Sequence, residues 1–578
     1  MPYGLKSTPV SSRRATFLRH RGSIISVILF LFFGVAISAS HLTKNYMINS
    51  KTNLCGKTNA IIPKFNKSVD VIFEDPQFKE LSIKKLSGAL QIPTEIFDNN
   101  PSPEDDLEYY QEFFKLHEYL SESFPLIYQH LKVQKVNHIN LVYTWEGKNR
   151  LLKPMLFTAH QDVVPVERKT VSKWKFPPFS GHYDEDSDTI WGRGAIDCKT
   201  MMIAELEAVE QLLKDGFIPE RTIIIAFGFD EETAGLQGAR KLGTFFEEQY
   251  GQNGIYSIVD EGAMVQEIDK NIFIAAPIVQ EKGYVDVEFT VNGVGGHSSI
   301  PPKHTTIGIA SDIVLTLENN PFSFDMGLDS AFYGYLCCVA EHDSNFPLEY
   351  RKAILEAPYD DKQRKKMVKF TSQVPSMREL MRTSQAVDVF NGGMKANALP
   401  EVTKFLVNHR IDLKSSVDET FARDVKIAKT IAEKYGYGLY ANDREEIAPT
   451  ELGYIKVEAL KGLNPSPSSP TRGSPVWDIF TGTIQNVYEN GLFKKSPQNE
   501  LYITKNTISA NSDTKYYWNL TENIYRFFGN VEPPQMWGVV HSVDEHIPVS
   551  AHLTTVAFIY QYIVNVNENA VTDSFQRD

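Results

Sequence analysis

The stretch Thr222–Phe229, TIIIAFGF, constrains this chain more than any other. An uncharged run this rich in β-branched residues reads as a strand covered on both faces, the kind found inside a parallel sheet. Three acids, Asp230, Glu231 and Glu232, follow it at once. INLVYTW (Ile139–Trp145), PMLFTA (Pro154–Ala159) and YSIVD (Tyr256–Asp260) read as further strands. Cys198–Gly216 reads as a helix: Met202, Leu206, Val209 and Leu213 fall at i, i+4, i+7 and i+11, and Gly216 follows the last turn. Asp105–Leu131 also carries helical spacing. Strands alternating with helices predict an α/β domain built on a largely parallel sheet.

The pattern changes at Tyr284. YVDVEFTVNG alternates apolar and polar residues, as a half-exposed strand does. TKFLVNHRID (Thr403–Asp412) reads as a strand and Val417–Gly436 as an amphipathic helix with a glycine stop. A separate α+β domain over 284–442 is expected, inserted between segments 71–283 and 443–578. No internal repeat is evident. A chain of 578 residues has room for at least two domains.

The N-terminus has its own logic. No acid precedes Asp70, and Arg13, Arg14, Arg19 and Arg21 precede the uncharged run Ser23–Ser40. That run is long enough to span a bilayer as a helix, for which roughly 17–25 residues suffice. The basic flank predicts a cytosolic tail (1–22), a transmembrane signal-anchor (23–40) and a lumenal stalk (41–70). A cleaved signal peptide is the competing reading. Two sequons, at Asn66 and Asn519, fall on the lumenal side and are candidate glycosylation sites. Lys6, the one lysine in the tail, is read as a ubiquitin-type sorting handle. A net charge of −13 with no basic stripe past the N-terminus argues against nucleic acid. The four cysteines show no disulfide or zinc-finger spacing, so buried structural thiols are expected, with Cys337 and Cys338 on a buried strand.

The strand ends carry the chemistry. His160 and Asp162 close one, Asp197 precedes the helix, Asp230–Glu232 follow the buried strand, and Asp260 and Glu261 end another. Ligands bind beyond the carboxyl ends of strands in open parallel sheets. Taken singly, each acid is explained by a turn, a solvated loop or a helix N-cap. Gathered at one sheet end, the carboxylates would repel unless cations sat among them. Imidazole with carboxylates suits Zn²⁺, and the acids suffice for two metals with one bridge.

The ordered set His160-x-Asp162, Gly192-Arg-Gly-Ala-Ile-Asp197, Asp230-Glu231-Glu232, Asp260-Glu261-Gly262 and His541-Ser-Val-Asp-Glu545 resembles the M20 family of two-zinc metallopeptidases. The resemblance runs from about Asp70 onward. It implies an α/β zinc-peptidase domain with an inserted lid. It also implies two Zn²⁺: one held by His160 and Asp260, one by Glu232 and His541, with Asp197 bridging. His546 is the alternative to His541, and the spacing of the motif selects His541. Asp162 would orient His160, and Glu231 would serve as general base. From the lid, His297 would stabilise the oxyanion, and Asn397 and Arg410 would bind substrate, Arg410 clamping the terminal carboxylate. Homodimerisation through the lid is also implied. Gly-Xaa carboxypeptidases of yeasts in this family begin with a membrane anchor. They imply a carboxypeptidase of short peptides, with glycine in the penultimate position, in the vacuolar lumen.

An N-acyl amino acid hydrolase of the same fold needs the same metals and clamp. A non-catalytic peptide receptor should have lost a ligand or the base, and every position is filled. No Gly-x-Ser-x-Gly elbow is present for a serine hydrolase.

Overall fold

A computed structural model describes residues 54–532 and 536–570. The expected tail, the signal-anchor and Lys6 lie outside the described residues. Among the described residues no helix is long and apolar enough to cross a membrane.

Uncharged, β-branched runs form the middle of a ten-stranded mixed sheet. Along its main path the order is Lys132–Val136, Asn140–Trp145, Ile223–Gly228, Met155–His160, Ser257–Asp269, Ile524–Val531, Ile278–Glu281 and Asn506–Ile508. Met155–His160 runs parallel to both Ile223–Gly228 and Ser257–Asp269, and Ile524–Val531 is parallel to the latter. Their carboxyl ends therefore share one edge. Met155–His160 and Ile223–Gly228 are buried at every position, as a strand covered on both faces must be. The helices Lys199–Lys214 and Val549–Asn569 pack against the sheet in the largest apolar core.

A six-stranded sheet forms the second unit, ordered Ser384–Gly392, Val402–Ile411, Gly283–Gly293, Gly453–Leu463, Gly438–Ala441, Arg444–Ile447. Helices Thr306–Asn319 and Val417–Tyr435 share its core. Gly453–Leu463 pairs with Gly283–Gly293 from Tyr284 to Gly293, so this unit continues past residue 442, where the sequence reading ended it. Between Ala331 and Leu380 four helices make a separate small core.

Three expectations are corrected here. Cys337 and Cys338 lie on the helix Ala331–His342, started by Ser330, whose hydroxyl accepts from the Tyr333 amide at 3.1 Å, and not on a strand. Cys338 is disulfide-bonded to Cys55, with Cα atoms 5.0 Å apart across a sequence separation of 283. Only Cys198 and Cys337 are free thiols. The expected stalk is, from Leu54 onward, part of the body. The amides of Leu54 and Cys55 donate to Glu341, Ile61 N donates to Gly482 O, and Lys64 and Phe65 donate to Glu568.

Candidate metal centre

His160 closes its strand with its ring buried. Its Nδ1 lies 3.0 Å from the Asp162 carbonyl oxygen and 3.4 Å from Asp162 Oδ1, which leaves Nε2 facing outward from the sheet edge. Asp162 also reaches the next strand end, where its Oδ2 accepts from the Glu232 amide at 3.1 Å. One residue thus holds the imidazole through its backbone carbonyl and pins, through its buried carboxylate, the turn that carries Glu231 and Glu232.

Asp197 stands at the centre. Its Oδ1 is 3.0 Å from His160 Nε2 and its Oδ2 is 3.0 Å from His541 Nε2. Glu232 Oε1 lies 3.1 Å from the same His541 nitrogen, yet makes no hydrogen bond. Imidazoles and carboxylates that crowd this closely are arranged as ligands around shared points. Two groups result: Asp197, Glu232 and His541; and His160, Asp197, Cys198 and Glu261. In each, the ligand atoms lie within 4.8 Å of one another.

The loop before Asp197 is held by Glu545. Its carboxylate accepts from the Ile196 and Asp197 amides at 2.9 and 3.2 Å and from Arg193 at 2.6 Å. His541 and Asp544 take left-handed backbone conformations, φ 57° and 66°. This tight loop aims His541 at Asp197 while Glu545 turns inward. His546 is elsewhere: its ring stacks on Trp191 at 4.1 Å, on a strand paired with Thr189–Trp191.

The fourth acid is placed differently from the expected ligand set. Asp260 joins neither group, because its Oδ2 accepts from the Ser512 hydroxyl at 2.7 Å. Glu261 takes that place, with Oε2 3.8 Å from His160 Nε2. The reason is the strand itself: it does not stop at Asp260 but continues to Asp269, and consecutive side chains on a strand face opposite ways. Only one of the two acids can look at His160.

The electrostatics ask for cations. Burial, then the Asp197 charge, pushes Glu232 up to about 7. Burial, then Glu261, pushes Asp260 up to about 7. Glu231 is raised well above the carboxylate range by burial and by Asp513 and Glu261. Burial works against the Asp197 carboxylate too, but hydrogen bonds from His160 and His541 hold its pKa below the usual range. His541 is driven up to about 10 by its bond to Asp197 and by the Glu232 carboxylate beside it. A site that forces Glu231, Glu232 and Asp260 toward neutrality and His541 toward charge is short of positive charge, and divalent metal ions supply it. The donor set, two imidazoles with carboxylates, fits zinc.

The lid residues stand apart. His297 is exposed on the two-residue strand Gly296–His297, its Nδ1 2.7 Å from Ser299 Oγ. Asn397 is beside it, its carbonyl accepting from the Ser298 amide. Arg410 lies opposite Tyr284 on the six-stranded sheet, its guanidinium 5.8 Å from that ring centroid. Among the described residues none of the three bonds to the acidic groups. Asn66 and Asn519 are both exposed. Ser512, Asp513 and Arg526 escaped the sequence reading, and Glu261 was named in it only as a strand-end acid. Asp513 and Arg526 stand in stretches without a motif, whereas Glu261 was legible as the neighbour of Asp260.

Residues 156–565 match the model of peptidase family M20/M25/M40. This chain belongs to that family. It is 50% identical over 572 residues to carboxypeptidase S of Saccharomyces cerevisiae, covering 96% of this chain and 98% of that protein. It is 31% identical over 493 residues to the N-fatty-acyl-amino acid synthase/hydrolase PM20D1 of Homo sapiens, covering 83% and 87%. Human carnosine dipeptidase 1 shares the fold, with a TM-score of 0.57 at 12% identity over 88% of this chain and all of that one.

Proposed function

We propose that this M20-type metallocarboxypeptidase holds two zinc ions and releases the C-terminal residue of short peptides, preferring glycine in the penultimate position, in the vacuolar lumen. The observation that carries the reading is Asp197, whose two oxygens each meet a different histidine at 3.0 Å, with a further carboxylate beside each. His160 and Glu261 would hold one ion, Glu232 and His541 the other, and Asp197 both. Bound zinc supplies a Lewis acid and makes water acidic enough to lose a proton near neutral pH.

The chain's own residues do the rest. Glu231, next to the ligand Glu232 and outside both ligand groups, takes the proton of the attacking water and passes it to the leaving amine. Asp162 fixes the tautomer of His160 through Nδ1. Arg410 reads the free carboxylate of the substrate bidentately, which confines cleavage to the last residue. His297 and Asn397 close over the substrate, and a second copy docked through the lid is part of the same reading. The 50% identity to a carboxypeptidase S along nearly the whole chain supports the peptide substrate. The Cys55–Cys338 disulfide supports a secretory route, since such bonds persist in oxidising compartments. The membrane anchor over 23–40, glycans on Asn66 and Asn519, and sorting through Lys6 complete it.

Hydrolysis of N-acyl amino acids is the second reading, favoured by the 31% identity to a synthase/hydrolase of N-fatty-acyl amino acids. One experiment separates them: release of free leucine from an N-blocked Gly-Leu dipeptide and from N-oleoyl-leucine, before and after chelation and zinc return. Faster, zinc-restored cleavage of the dipeptide supports the carboxypeptidase. Faster cleavage of the acyl amino acid overturns it.

A further inference from the structure

We infer that Arg526 is a positioning residue that fixes Glu261, and with it one side of the metal centre, to the crossover into the six-stranded sheet. The guanidinium is almost wholly buried and serves three segments at once. Nε donates to the Glu261 carbonyl at 2.9 Å, and Nη1 donates to Glu281 Oε1 at 3.0 Å and to the Ala510 carbonyl at 3.3 Å. Strand Ile524–Val531, which carries Arg526, lies against the Glu261 strand so closely that a Cβ on Gly262 would meet Arg526 Cβ at 2.5 Å.

Glu281 is where the chain leaves for the six-stranded sheet, and its carboxylate is fully used. It accepts from Arg526, from Thr514 Oγ1 at 2.8 Å and from Asn511 Nδ2 at 3.2 Å. Its backbone is bound to the returning segment: the Glu281 amide donates to Ser466 Oγ at 2.7 Å and the Ser466 amide donates to the Glu281 carbonyl at 3.0 Å. Both crossings are thereby fastened to one residue, and that residue is ion-paired to the group that holds Glu261. The loop carrying Ala510 and Asn511 continues into Ser512, whose hydroxyl occupies Asp260. Asp260 is thus held away while Glu261 is held in place. A planar fork with fixed donor directions can hold three acceptors in register, which a lysine ammonium on a flexible stem does not.

The inference rests on the reading of Glu261 as a metal ligand, and the test keeps the two apart. The full chain is purified as wild type, Arg526→Lys and Glu281→Gln. Zinc affinity is read by competition with a chromophoric chelator, and kcat and KM with the blocked dipeptide. Arg526→Lys should bind one of its two zinc ions about 10–100-fold more weakly, the range for groups that orient ligands. Its kcat should fall while KM stays within about twofold, because the substrate clamp is untouched. Glu281→Gln, which leaves the Glu261 carbonyl contact in place, should fall between. Arg526→Lys and Glu281→Gln proteins that melt lower but keep wild-type zinc affinity and kcat would overturn the inference and leave the metal centre standing. A wild type that binds no zinc would overturn both.

Discussion

His541 Nε2 lies 3.0 Å from Asp197 Oδ2, although 344 residues separate them in the chain. Most of the protein is folded between these two atoms. Each is aimed by the same neighbour: Glu545, four residues after His541, accepts the Asp197 amide and ties the two loops together.

Glu231 precedes Glu232 in the chain and belongs to neither ligand group. Glu231→Gln should therefore lower kcat by at least about a hundredfold, within the usual range for a lost general base. Zinc content, measured by elemental analysis, should stay at the wild-type level. A variant that turns over normally would remove Glu231 from the proton pathway.

Asp260 and Glu261 make opposite predictions. Glu261→Gln should weaken zinc more than the roughly 10–100-fold typical of outer groups, because a ligand is lost. Asp260→Asn keeps an acceptor for the Ser512 hydroxyl and should bind zinc much as the wild type does. Chelator competition on both variants checks the order, and the reverse order would return Asp260 to the metal.

Removing the metals should also change stability. Without cations the carboxylates around Asp197 repel one another, so chelated protein should melt lower and regain its melting temperature when zinc returns. Scanning calorimetry at fixed pH tests this, and an unchanged melting temperature would deny the centre its part in the fold.

His117, bonded to Gln161 between His160 and Asp162, gives the fold an acid-sensitive point. Burial, only partly offset by the bond between Nε2 and Gln161 Oε1, lowers its pKa from 6.5 to about 4. The folded protein keeps this ring neutral while the unfolded chain protonates it below 6.5. The stability it contributes is present above 6.5 and is lost as pH falls toward 4, a loss of about 3 kcal/mol if the group acts alone. Urea unfolding across that window should show a steep acid-side decline that is shallower in His117→Asn.

The Cys55–Cys338 bond should matter most when the chain is unfolded. Replacing both cysteines with serine should cost about 2–4 kcal/mol, the typical worth of a disulfide. Equilibrium unfolding of the variant, and of the reduced wild type, should give matching losses.

The central sheet was legible because its strands are continuous apolar runs, and a period-two or period-3.6 pattern is local information. His160, Asp197, Glu232 and His541 were legible because each stands in a short motif at a predicted strand or loop end. The place of Glu261 beside His160 was not legible because the strand was expected to end at Asp260, and one residue decides which face a side chain takes. The disulfide was invisible for a different reason: its partners share no local spacing, and only the tertiary fold brings helix Ala331–His342 to Cys55. The helical insertion was missed because segments such as Asp361–Gln373 bury few residues, here Met367 and Thr371, and give little periodic signal. The six-stranded unit was cut short at residue 442 because Gly453–Leu463 returns to pair with Gly283–Gly293 from far along the chain, a link that the sequence does not display.

The bond from Cys55 to Cys338 turns the polypeptide between them into a covalent ring. His160, Asp197, Glu231, Glu232 and Glu261 all belong to that ring, and His541 hangs from it on the C-terminal tail. A protease that cuts once within the ring opens it but releases nothing. A cut before Cys55 detaches everything upstream and leaves every proposed metal ligand on one connected piece. Trimming the N-terminus and dismantling the catalytic body are therefore separate events in the life of this protein.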